Sequence, residues 1–142
     1  MGEAAARAAV AELEDQGYLD DARYVQRFTE DRRSLDGWGT LRIERRLLDL
    51  GVSPELIEAA LGGRGAEDEL QAAVAVLRRR GGGGVSPTDE RERQRALGML
   101  VRRGYALELA YDAVRRLEGD RAQGSQLAAG PREDVAGDRG AP

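Results

Sequence analysis

The chain has 142 residues, room for one domain or a few small stacked units and too few for two large catalytic lobes. Hydrophobic residues make up 41% and charged residues 34%, but aromatics only 4%, a balance that supports a buried core and argues against a large β-sandwich or barrel. Cysteine and histidine are both absent, which removes disulfides, thiolate and imidazole metal ligands, Cys or His nucleophiles and the Ser-His-Asp triad, and the net charge of −4 speaks against coating nucleic acid by bulk charge.

Apolar residues recur at helical spacing in seven short segments, with no sustained period-two alternation, so the fold class is all-α. The first segment sets Ala6, Ala9, Val10 and Leu13 on one face, and Gly17 is expected to stop it. The second opens at Asp20, a good N-cap, and carries Tyr24, Val25 and Phe28 up to Gly37 and Gly39. The third runs from about Thr40 to Leu50, with Ile43, Leu47 and Leu50 in register and Gly51 as the residue that ends it. Ser53-Pro54-Glu55 reads as N-cap, proline at the first helical position and an acid in the first turn, opening a fourth helix with Leu56, Ile57, Ala60 and Leu61 inward. Leu70, Ala73, Val74 and Leu77 stripe the fifth segment, which ends in Arg78-Arg79-Arg80 and the flexible run Gly81 to Gly84. Ser86-Pro87-Thr88-Asp89 has capping-box spacing and opens a sixth helix with Ala96, Leu97, Leu100 and Val101. Ala110, Ala113, Val114 and Leu117 mark a seventh. From Asp120 to Pro142 large apolar residues nearly vanish, which predicts a disordered tail.

Charge is unevenly placed. Six acids face one arginine between Met1 and Ala22, whereas eight arginines face three acids between Arg78 and Gly104. All 22 basic residues are arginine, a usage that a GC-rich genome accounts for as well as any demand for bidentate contacts. The alanine-rich start carries Glu3, Arg7 and Glu12 and lacks a signal pattern. No apolar run approaches the about 20 residues a membrane span needs, and the expected location is the cytoplasm.

The segments repeat. Laying Gly51 on Gly104 aligns Leu47 with Leu100, Leu56 with Leu109, and Ala60-Leu61 with Ala113-Val114; Gly17 and Asp20 align in turn with Gly65 and Asp68. The unit is three helices with a glycine corner between the second and third. Residues 18–64 and 65–118 form two complete units, the latter with a glycine-rich hinge at 81–85, and 119–142 is the tail. Residues 1–17 correspond to the third helix of a unit whose first two are missing, read either as a lone capping helix or as a shortened N-terminus.

Gly17-Tyr18-Leu19-Asp20-Asp21-Ala22-Arg23-Tyr24, followed by Phe28, Arg32, Gly37-Trp38-Gly39, Arg42-Ile43, Leu47, Gly51-Val52 and Ile57-Ala59-Ala60-Leu61, resembles the central signature of the RecX family. Arg95-Ala96-Leu97, Leu100, Arg102-Arg103-Gly104-Tyr105 and Ala113 resemble its last repeat, so the likeness covers about Val10 to Leu117. It implies an elongated, curved row of three-helix units that lies in the groove of the RecA recombinase filament and restrains filament growth, ATP hydrolysis and strand exchange. The missing first two helices are a departure that shortens the row.

Within that frame Arg42, Arg45 and Arg46 crowd one helix, and Arg91, Arg95, Arg102 and Arg103 recur on the corresponding helix of the next unit. Equivalent faces of stacked units turn in similar directions, so these arginines are candidates for a partner-binding stripe that pairs with carboxylates or phosphates. A solvated face is the bland alternative. Trp38, between two glycines, either packs between units or is presented to the partner. Tyr18, Tyr24 and Phe28 read as core, and Asp20-Asp21 as cap and dipole partner in preference to a metal or acid-base dyad. No catalytic residue, metal site or cofactor is expected, and the chain is expected to act as a monomer on RecA, with weak DNA binding at most. The rival reading, a helix-turn-helix DNA-binding protein, is opposed by Glu55, Glu58, Glu108 and Asp112 on the third helices, where base-reading side chains would stand. An enzyme ranks third, since Gly81 to Gly84 lacks the lysine of a phosphate-binding loop.

Overall fold

The computed structural model describes residues 2–80 and 90–139. Among them are six α-helices and one π-helical turn, and no strand: α1 (Glu3–Asp31), the π turn (Arg32–Asp36), α2 (Thr40–Asp49), α3 (Pro54–Leu61), α4 (Ala66–Arg80), α5 (Glu90–Arg102) and α6 (Leu107–Arg139). The glycine run at 81–85 and the Ser86 capping box lie outside the described residues. The chain divides into two units, one of residues 1–69 with 103–105, the other of residues 70–102 with 106–142.

The first difference from the sequence reading is at Gly17. It lies inside a continuous 29-residue helix, and Asp20, expected as an N-cap, sits well within it and accepts a hydrogen bond from Gln16 Nε2 at 3.1 Å. Glycine in a helix costs about 1 kcal/mol against alanine, which weakens a helix without ending it. Gly17 does not take the left-handed conformation by which glycine commonly closes a helix; among the described residues only Gly37, Gly51 and Gly104 adopt positive φ. The first half of α1 is solvated on all sides: every residue from Gly2 to Asp21 is exposed, Val10 and Leu13 included.

The first unit packs the second half of α1 and α2 against α3. Val25, Ile43, Leu47, Ile57 and Leu61 form its core, with Phe28, Trp38, Val52 and Ala60 packed on it. Three residues expected inside are not: Leu50, Tyr18 and Tyr24 are each about half exposed, Leu50 because it caps α2 and the tyrosines because they lie off the α1 face that meets α3. The α2 to α3 corner is local chemistry throughout. Gly51 at φ 83° donates to the Leu48 carbonyl and Val52 to that of Leu47, both at 3.0 Å, a Schellman end whose following apolar residue, Val52, drops onto the core. Ser53 then accepts from the Leu56 amide and Pro54 opens α3, as the sequence predicts.

In the second unit Ala73, Val74, Val76 and Leu77 of α4, Leu97 and Leu100 of α5, and Ala110, Ala113, Val114 and Leu117 of α6 are buried. Arg93 of α5 reaches across to Glu118 of α6 at 3.0 Å, an ion pair that holds the guanidinium pKa above its ordinary value. α6 runs on to Arg139 through the segment that the sequence marks as a tail, and among its described side chains beyond Leu117 none is buried. No described helix is long and apolar enough to cross a membrane.

Candidate partner-binding site

The candidate surface of the first unit grows from the start of α2. Its N-cap residue, Gly39, has no side chain to satisfy the amides of the first turn. Three other groups do so. The Gly39 amide donates to the Arg103 carbonyl at 2.7 Å, and the Leu41 amide to that of Gly104 at 3.0 Å. Thr40 gives its amide and its hydroxyl to the two carboxylate oxygens of Glu69, at 2.9 and 2.8 Å. A carboxylate is well placed at the positive end of a helix, and Arg64 Nε holds the same group at 3.2 Å, with both side chains largely buried. Arg33 donates to the Thr40 hydroxyl oxygen, and burial first, then the nearby Arg64 charge, lowers its pKa.

This arrangement explains the glycines that the sequence marks. A Cβ at Gly39 would lie 2.5 Å from the carbonyl oxygen of Gly104. Tyr105, 2% exposed, sends its hydroxyl to the Gly37 carbonyl at 3.0 Å, and Arg103 donates to the carbonyl of Asp36. Residues 103–105, Gly37 and the head of α2 therefore make one rigid backbone seat.

On that seat Trp38 is half-buried. Its ring meets Phe28 edge to face at 6.2 Å, and Phe28 in turn stacks with Tyr24 at 6.0 Å. The guanidinium of Arg42 lies over the indole, 4.1 Å from its centroid, and that of Arg32 stands 5.8 Å away while pairing with Asp36. A cation held on an aromatic face keeps its charge while losing rotamer freedom before any partner arrives. Trp38 packs on the core of the first unit and at the same time supports an exposed cation.

Of the candidate arginines, Arg42, Arg45 and Arg46 are all exposed, and their three- and four-residue spacing sets them on neighbouring parts of α2. In the second unit Arg91, Arg95 and Arg102 are exposed and share one side of α5, Arg102 folding back over Gly98. Arg103 differs, being half-buried with a guanidinium donor on a main-chain carbonyl. The contributions of Glu69, Arg33 and Arg64 have no local signature, because Thr40 and Glu69 are far apart in the chain. Leu41 and Leu48, 52% and 49% exposed on α2, join the surface without standing among the sequence candidates; the signal for them is that both are apolar yet fall off the core register. Among the described residues no cluster of acids is arranged to hold a metal ion.

Comparison with known proteins finds two family models in tandem. Residues 20–61 match the second three-helix domain of RecX and residues 67–114 match its third. The Regulatory protein RecX of Trichlorobacter lovleyi is 38% identical over 106 residues, covering 73% of this chain and 69% of that protein. That of Thermus thermophilus is 36% identical over 115 residues, 81% of this chain and 72% of the relative. That of Mycolicibacterium smegmatis is 32% identical over 106 residues, covering 56% of the relative.

Proposed function

The chain belongs to the RecX family of regulatory proteins, and on that footing we propose that it binds RecA recombinase filaments and restrains their growth, ATP hydrolysis and strand exchange. It acts without an active site, as a monomer in the cytoplasm, through helical units that dock on the filament. The observation that carries the reading is the Arg42, Arg45 and Arg46 face of α2, exposed, with Arg42 seated on Trp38 beside a fixed backbone seat. Planar guanidinium groups suit carboxylates in two-toothed contacts and give both guidance during approach and an anchor on arrival. Arg91, Arg95 and Arg102 on α5 supply a second set of the same chemistry.

Duplex binding through a recognition helix is the lesser reading. Glu55 and Glu58 on α3, and Glu108 and Asp112 on α6, are exposed and would meet phosphates with like charge. The Gly39, Thr40 and Leu41 amides at the start of α2 are already engaged by Glu69 and by main-chain carbonyls, so these three are not offered to a phosphate.

The test is RecA-dependent ATP hydrolysis on single-stranded DNA with the full chain added below the RecA concentration. Hydrolysis should fall, while binding to free duplex stays weak and drops steeply with salt. Tight duplex binding with hydrolysis untouched would overturn the reading in favour of the DNA-binding one.

A further inference from the structure

Three side chains on the outer face of α2 form a feature that the arginine pattern alone does not contain. Leu41, Arg45 and Leu48 are spaced four and three residues apart, so they line one ridge of the helix, away from the buried Ile43 and Leu47. Leu41 and Leu48 are each about half exposed on a helix whose buried side is already complete. Single exposed leucines are ordinary, but two of them bracketing an arginine on one ridge, with Arg42 held on Trp38 alongside, have the composition of an interface centre.

The ridge is particular to the first unit. With Gly51 laid on Gly104, Leu41, Arg45 and Leu48 fall on Gln94, Gly98 and Val101 of α5, so the repeat itself does not demand an apolar-basic-apolar row there. A purely structural need of the three-helix unit would have kept it in both copies.

Resting on the function proposed above, we infer that this ridge is a protein-docking surface in which Leu41 and Leu48 enter an apolar partner surface bordered by carboxylates that Arg42 and Arg45 engage. Charge and polarity select this occupant. A nucleic-acid backbone offers phosphates to the arginines and leaves two leucines against a charged, hydrated surface. A second copy would bring like arginines together. An apolar surface flanked by Asp or Glu satisfies both kinds of side chain at once.

The experiment uses the full chain as wild type, the double variant Leu41→Ser with Leu48→Ser, and Leu35→Ser as a control at a residue 73% exposed outside the ridge. Inhibition of RecA ATP hydrolysis and binding to a free single-stranded oligonucleotide are measured at low and at moderate salt, and far-ultraviolet circular dichroism checks the fold. The double variant should keep its helicity and its oligonucleotide affinity while inhibition weakens roughly tenfold or more at both salt concentrations, because the lost contacts are apolar. The Leu35 variant should inhibit like wild type. Full inhibition by a folded double variant, with wild type active, overturns the ridge and leaves the proposed function standing. A parallel loss of oligonucleotide binding reassigns the ridge to nucleic acid and also overturns the proposal. A wild-type chain that leaves RecA untouched removes the proposed function and the ridge with it.

Discussion

Replacing Gly39 and Gly17 by alanine should move stability in opposite directions, for reasons set by distances. At Gly39 the new Cβ would lie 2.5 Å from the Gly104 carbonyl oxygen, 2.6 Å from its carbon and 2.8 Å from the Tyr105 nitrogen, all main-chain atoms with no rotamer to escape into. Ordinary contact begins near 3.4 Å, so the two backbones must part by about 0.9 Å. The Gly39 to Arg103 bond at 2.7 Å and the Leu41 to Gly104 bond at 3.0 Å would then stretch past hydrogen-bonding range. Both glycines are buried, so the freed groups gain no water, and losing the two bonds costs about 3 kcal/mol. For a chain of this length that lowers the melting midpoint by roughly 10 °C. At Gly17 nothing lies within 4 Å and the backbone is helical, so alanine gains about 0.5–1 kcal/mol of local helix stability. Thermal unfolding followed by circular dichroism reads both. Gly39→Ala should melt early, and Gly17→Ala should show increased helical signal at low temperature with no loss in midpoint. A Gly39→Ala midpoint within about 2 °C of wild type would refute the close approach, and a helicity loss in Gly17→Ala would restore the turn that the sequence suggests.

Glu69→Ala strips the acceptor from the Thr40 amide, the Thr40 hydroxyl and Arg64 together, and should cost about 3 kcal/mol in urea unfolding; Thr40→Ala, which keeps the amide bond, should cost about 1 kcal/mol. Trp38 is the sole tryptophan, so Arg42→Gln should change its emission directly, by removing the cation 4.1 Å from the ring. Trp38→Leu should weaken filament inhibition roughly two- to fivefold while Trp38→Phe retains most of it, since cation and aromatic face contribute about 0.5–1 kcal/mol at an exposed site. Truncation after Gly119 deletes the sparse segment and one exposed pair, Arg78 with Asp120 at 2.7 Å, and should shift the unfolding free energy by less than about 1 kcal/mol.

What the sequence makes legible is local. The Gly51 end of α2, the Ser53 cap and Pro54 are decided by residues within one turn of each other, and so are the stripes that fill the two cores. Gly17 misleads because composition does not reveal φ: a helix interior tolerates glycine when nothing nearby demands the left-handed region. Periodicity places Leu50 and Tyr24 inside, since it gives a helix its apolar side but not how far a neighbouring helix covers it. Glu69 on Thr40, Arg103 on the Asp36 carbonyl and Tyr105 on that of Gly37 join residues distant in the chain, and a lone sequence carries no trace of such pairings.

The arginines show how placement divides residues that composition treats as one class. Arg64 holds the carboxylate that caps α2, Arg33 bonds the threonine beside it, and Arg103 closes on a main-chain carbonyl, so each is committed to the fold. Arg45 and Arg46 are exposed and their long side chains must be ordered when a partner arrives, at a cost of about 0.5–1.5 kcal/mol each. Arg42 carries the same charge yet is already seated on Trp38, so much of that ordering is complete before association. On the proposed function, the three arginines that look equivalent along α2 are therefore unequal as anchors. The rank order follows from the Phe28 and Trp38 packing beneath Arg42, with Gly39 and Gly104 fixing the backbone on which that packing rests.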